Sequence, residues 1–319
     1  MPMRSSGCAM RNMLATTLTV AWLSTGVIAA SDNPNQIAIL HWYAANQSAA
    51  FAVGHVPTQP VFDGSSIWVV ESTDNDVRKL RASDGALLGT FPVGLHPLKA
   101  AFDGANIWVT NTGDNTVTKL RASDGVVQGT FTVGNQPLGI AFDGSNIWVA
   151  DGQDNNVKKL RVSDGTIVGT FPVGTLPDGV AFDGSSIWVA NHNSANVTKL
   201  RASDGFRLGT FPVGVQPGEF AFDGTNMWVS NFGSNTVMEL SLSGGVLGTF
   251  TVGSGPVGVA FDGTNIWVAN EMSNSVTELL DSTGALLGTF NAGSAPEGVA
   301  FDGANIWVAN TSSNTVSKL

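Results

Sequence analysis

The chain holds one cysteine in 319 residues, and that residue, Cys8, stands near the amino terminus ahead of an apolar stretch. A mature chain that has shed Cys8 with a leader can form neither disulfides nor thiolate metal sites. Charge is scarce as well, at 13% of residues, with 15 Lys and Arg against 25 Asp and Glu and a formal net charge of −10. An acidic surface of this kind repels phosphate backbones, which argues against nucleic acid as a partner. Met13 to Val27 is too short and too rich in Ser and Thr for a membrane span, so no transmembrane domain is expected in the mature chain. Missing too are a Gly-x-Ser-x-Gly elbow, a phosphate-cradling loop and a His-Glu-x-x-His pair. The four histidines (41, 55, 96 and 192) lie in separate segments, and nothing joins them as a catalytic set.

What the chain has in quantity is repetition. Phe142-Asp143-Gly144-Ser145-Asn146-Ile147-Trp148-Val149-Ala150 recurs in variants with its Phe at 62, 102, 142, 182, 222, 261 and 301. A fixed period near forty residues, with several short apolar runs in each, marks a propeller, solenoid or array. The 38 glycines and the 43% apolar content suit short strands joined by tight turns. Within one unit, strands are expected at 137–142, 147–150, 157–162 and 166–173, and the Asp143-Gly144 and Asp164-Gly165 pairs make turns in which Gly accepts φ > 0. Four short strands per unit form one antiparallel blade, with the recurrent Trp of the second strand in the core between blades.

The termini indicate closure. The last unit stops at Leu319 after its third strand, and the missing fourth strand matches Ala49-Ala50-Phe51-Ala52-Val53-Gly54 at the other end. Pairing the two closes a seven-bladed ring of four-stranded antiparallel blades and removes an exposed edge. The fold class expected is therefore an all-β, seven-bladed β-propeller over residues 49–319. Residues 1–30 read as a signal peptide, with Arg4 and Arg11 before the apolar stretch and Ile28-Ala29-Ala30 before a cleavage point. Residues 31–48 form an amino-terminal extension. Export to the periplasm, the cell surface or the medium follows, and a monomer is expected.

Comparison of the seven copies shows where a site belongs. The Asp-Gly turns barely change, whereas the connections around each Pro and the loops after each second strand vary widely. In this strand order both variable sets lie on one face, around the channel mouth. The candidate binding residues there are His55, His96, Lys99, Asp178, His192, Glu219, Phe232, Glu271 and Glu297. Alanine at Lys99, Asp178, Glu219 or Glu297 is expected to spare folding. Glu71, Asp74 and Asp76 are weak candidates for a hard divalent cation such as Mg or Ca. Charge is uneven around the ring: residues 208–317 hold nine acids and no Lys or Arg. Lys-Leu-Arg of the third strands becomes Glu239-Leu240-Ser241 and Glu278-Leu279-Leu280, a change read as drift on a solvated outer surface, with attraction of a cation or basic partner by the acidic sector as the alternative.

The unit Ile107-Trp108-Val109-Thr110-Asn111, followed by Asn115-Thr116-Val117, Gly129-Thr130-Phe131-Thr132-Val133-Gly134 and Pro137, resembles the YVTN-type propeller repeat of secreted and surface bacterial proteins. Trp stands where that repeat has Tyr. The chain is also similar to streptogramin (virginiamycin B) lyases, seven-bladed propellers that open a cyclic depsipeptide by elimination. That resemblance implies a metal ion and His and Glu side chains from late blades; Glu271 and Glu297 are available, but no His follows His192. The expected function is a binding or interaction module for a small molecule, peptide or surface polymer, with no catalytic set. A metal-dependent lyase of the streptogramin type and a structural protein of the cell surface are the alternatives.

Overall fold

The computed structural model describes residues 49–319; the expected signal peptide (1–30) and amino-terminal extension (31–48) lie outside the described residues. Seven four-stranded antiparallel sheets follow one another along the chain, six of them built from consecutive strands. In the third blade the strands are Pro137–Phe142, Asn146–Asp151, Asn156–Arg161 and Ile167–Pro172, within a residue or so of the boundaries that the repeat implies. The seventh sheet joins the two ends of the propeller: Ala49–Ala52 pairs with Thr315–Lys318, Phe51 opposite Val316. The first blade's inner strand packs on that of the seventh, so the ring closes.

Each blade is held by one recurrent unit. Trp68, Trp108, Trp148, Trp188, Trp228 and Trp307 are fully buried, and each stacks on a Phe of the outermost strand at ring-centroid distances of 5.3–6.0 Å. In the seventh blade that Phe is Phe51, so the closing strand supplies the same contact as every other outer strand. The Asp of each Asp-Gly turn does more than shape the turn. Asp143 Oδ1 accepts from the Ser145 and Asn146 amides, and its Oδ2 accepts from the Trp148 indole N–H at 2.7 Å. Gly144 takes φ +91° between them, which a side chain would resist. Burial pushes the equivalent Asp103 carboxyl up, but donation from Trp108, Asn106 and the turn amides outweighs it and holds the group below the usual carboxylate range.

The third-strand lysines correct the sequence expectation. Lys79, Lys119, Lys159, Lys199 and Lys318 are not drifting on a solvated surface. Each ammonium lies 4.6–5.3 Å from the centroid of its blade's indole. Each also donates to a main-chain carbonyl of the following blade, as Lys79 does to Ala122 at 2.7 Å and Lys318 to Ala82 at 2.8 Å. Lys199 is only 6% exposed and pairs with Asp183 at 2.9 Å. These ammoniums are inter-blade ties, which is why their loss at Glu239 and Glu278 has consequences.

A candidate binding cleft at the channel mouth

The innermost strand of every blade begins at a Pro and carries a register shift just after it, as between Pro137 and Ile140. The two residues inside that shift differ from blade to blade. At the second of them Gly139 is required by packing, since a Cβ there would meet the Asp178 carbonyl oxygen at 1.9 Å. Lys99 and Glu219 occupy the same position in the second and fifth blades, which do not adjoin, and their side chains form an ion pair across the ring.

The connections before each Pro and the loops after each second strand do share a face. The Gly134 amide donates to Asp151 at 3.0 Å and the Asn135 amide to Asp154 at 3.0 Å. In the fourth, fifth and sixth blades the loop tightens into a single 3₁₀ turn, His192–Ser194, Phe232–Ser234 and Glu271–Ser273. His192, Phe232 and Glu271 open these turns and line one cleft of about 370 Å³ together with Asp178, Gly218, Pro256, Val257 and Glu297. Five of the nine candidate residues thus meet in one cleft, and Lys99 with Glu219 adjoins it from the channel. His55 and His96 stand apart. His55 Nδ1 pairs with Asp74 at 2.8 Å on the first blade, and His96 lines a separate groove with Asn115, Asn135 and Gln153.

Carboxylates dominate the cleft. Burial pushes Glu297 up to about 7; the Lys99 ammonium pulls it down, and Glu271, Asp178 and Glu219 push it up further. Burial alone would lower Lys99, yet the charges of Glu219, Asp178 and Glu297 outweigh it and hold the ammonium above its ordinary range. One buried cation therefore faces three carboxylates, with Glu271 a fourth at the rim. The expectation that alanine at Lys99 spares folding is corrected here: Lys99 is 5% exposed and its removal strands Glu219.

Glu71, Asp74 and Asp76 are not gathered as a metal site, and among the described residues no group of three His, Asp or Glu side chains is placed to hold a metal ion. Asp74 is taken by His55 and lies 3.6 Å from Arg78. Glu71 is fully buried and replaces an Asn that other blades use to cap a Gly amide, as Asn111 does for Gly94 at 3.1 Å. Both Glu71 carboxyl oxygens lack a hydrogen-bond partner. Burial pushes the group up to about 8, against the opposing pull of the Arg78 charge.

Solved structures share this fold. A catalytically inactive His-to-Ala variant of virginiamycin B lyase from Staphylococcus aureus, with quinupristin, matches at TM-score 0.73 and 18% identity over 85% of this chain and 98% of that one. A streptogramin B lyase matches at TM-score 0.72 and 18% identity, covering 85% and 96% of the two chains. Hydrazine synthase from Kuenenia stuttgartiensis matches at 0.72 and 19%, covering 83% and 95%. At these identities the likeness is one of fold. No family model matches the chain, and no curated protein does.

Proposed function

We propose that the protein is an exported binding module that takes a cationic, partly apolar small ligand into the cleft of blades four to seven. The observation that carries this reading is the excess of negative charge there: Asp178, Glu271 and Glu297 line the cleft, and the one ammonium nearby, Lys99, is already committed to Glu219. Low-dielectric walls concentrate such a field and draw in cations. Phe232, Pro256 and Val257 supply apolar contact for the rest of the ligand. Export rests on the basic, apolar and small-residue order of residues 1–30 and on the resemblance to the YVTN-type repeat. Phenethylamine, an ammonium carried on an aromatic ring, is the probe. Its addition should raise the melting temperature of the wild type, because a ligand of the native state stabilises it. Asp178→Asn/Glu297→Gln should fold and lose most of that rise; an undiminished rise in the double variant rejects the cleft as the site.

A second reading, elimination chemistry of the streptogramin lyase type, is favoured by His192, a general acid or base that lines the same cleft as Glu271 and Glu297. Among the described residues, no three His, Asp or Glu side chains form a metal-binding group. Incubation with a streptogramin B antibiotic, with and without magnesium, separates the readings. Ring opening abolished by His192→Ala supports the lyase, and an intact antibiotic supports the binding module.

A further inference from the structure

The opposite face carries a second cavity, away from the cleft. Five blades show how this scaffold holds an ammonium, above the indole and hydrogen-bonded to a neighbouring blade; in three of them, at Lys79, Lys159 and Lys199, it also lies within 4.0 Å of the turn carboxylate. Lys79 lies 5.0 Å from the Trp68 centroid, 3.4 Å from Asp63 and 2.7 Å from the Ala122 carbonyl. Lys199 lies 4.6 Å from the Trp188 centroid, 2.9 Å from Asp183 and 2.7 Å from the Leu242 carbonyl.

Two blades lack the lysine, and they resolve its absence differently. In the fifth, Asn226 donates to Glu239 Oε1 at 2.7 Å and Trp228 remains fully buried. In the sixth, the indole and the turn carboxylate persist, with Trp267 Nε1 donating to Asp262 at 2.7 Å, but Glu278 stands where the lysine would be. No side chain takes the ammonium's place there. A cavity of about 220 Å³ is left, lined by Asp262, Trp267, Glu278, Phe290, Phe301 and Leu319 among others. Trp267 is the one repeat tryptophan that is not fully buried.

We propose that this cavity receives a primary alkylammonium, its nitrogen between Asp262 and Glu278 over the Trp267 indole and its alkyl chain against Phe290 and Phe301. The indole and the turn carboxylate are kept, while the following-blade carbonyl, 43 positions on from Lys79, Lys119, Lys159 and Lys199, has no counterpart for Glu278 among the described residues; a second carboxylate replaces the internal cation. Each contribution is attractive for the same ion: the indole face through its quadrupole and the carboxylates through charge-assisted hydrogen bonds. A quaternary ammonium has no N–H to give these carboxylates, so the primary ion is preferred.

The test titrates full-length mature protein with pentylamine while following the Trp267 indole N–H resonance. Saturable movement of that resonance is expected with pentylamine and not with pentanol, and pentyltrimethylammonium should bind more weakly. Glu278→Lys returns the scaffold's own ammonium; it should raise the melting temperature and abolish the Trp267 response. Glu278→Gln keeps the shape and removes one charge, and should weaken pentylamine by roughly tenfold. Glu297→Gln, in the cleft on the other face, should leave the Trp267 titration unchanged, so failure of one site is distinguishable from failure of the other. A pentanol response equal to that of pentylamine, equal or tighter binding of the quaternary ion, or undiminished binding in Glu278→Gln would overturn the proposal.

Discussion

Replacement of Lys99 by Met tests the electrostatic picture of the channel most severely. The side chain is 5% exposed, and its ammonium is paired with Glu219 while facing Asp178 and Glu297. Met keeps most of the volume, so cavity formation contributes little. The charge is what disappears. Removing one partner of a buried pair costs about 3–5 kcal/mol because the other charge stays behind. For a chain of this size that is a fall of roughly 6–10 °C in melting temperature. The loss must also depend on pH. Glu297 already has its folded pKa raised to about 7, above the ordinary carboxylate value, so stability falls as pH rises through that window. Without Lys99 the upward pressure on Glu297 grows, and the variant's deficit should be largest at pH 8 and much smaller at pH 5, where protonation removes the repulsion. Thermal unfolding followed by tryptophan fluorescence at both pH values reads the difference. Lys99→Met/Glu219→Gln should recover most of the loss. An equal deficit at pH 5 and pH 8 with no recovery in the double variant would refute the reasoning.

Three further outcomes follow from single positions. Glu71 is buried with both oxygens unpartnered and its folded pKa raised to about 8, so the native state holds a proton that the unfolded chain releases from about pH 4.5 upward. Wild-type stability should therefore decline between pH 5 and pH 8, and Glu71→Gln should flatten that part of the profile in urea titrations. Val56 is β-branched yet held at φ +57° before Pro57, where the sixth blade has Gly255. Val56→Gly should raise stability by about 1 kcal/mol, measured by chemical denaturation, through relief of that strain. Phe51→Ala should cost about 2–3 kcal/mol and red-shift tryptophan emission, since Phe51 stacks on Trp307 at 5.5 Å and secures the closing strand.

The architecture was legible because it is periodic and local. Forty-residue spacing, Asp-Gly turns and alternating apolar runs locate every strand, and the orphaned outer strand at Ala49–Ala52 identifies its partner in the last blade. The site was legible only as a face. That His192, Phe232 and Glu271 meet depends on three successive 3₁₀ turns, and the Lys99–Glu219 pair joins residues 120 positions apart. Distances of that kind have no local signature. Other features left traces that reading by type alone misses. The spacing of five from Asp63 to Trp68 is kept in all seven units and encodes the indole cap. Where the capping Asn becomes acidic, at Glu71 and Asp151, the residue seven positions later becomes Arg78 or Lys158, the latter paired with Asp151 at 2.6 Å. The third-strand lysines misled because a charged residue alternating along a strand looks solvated, whereas its ammonium lies over the indole and only the geometry between blades reveals the carbonyl it reaches.

The acidic cleft is the centre of the functional account, and calorimetric titration of phenethylamine across pH 6 to 8 tests it most directly. Glu278→Lys serves as the background, so that the opposite face stays silent. Affinity should strengthen as Glu297 ionises near pH 7, and Glu297→Gln should bind weakly with no such rise. A flat profile, or a variant that binds as tightly as its parent, would contradict the account.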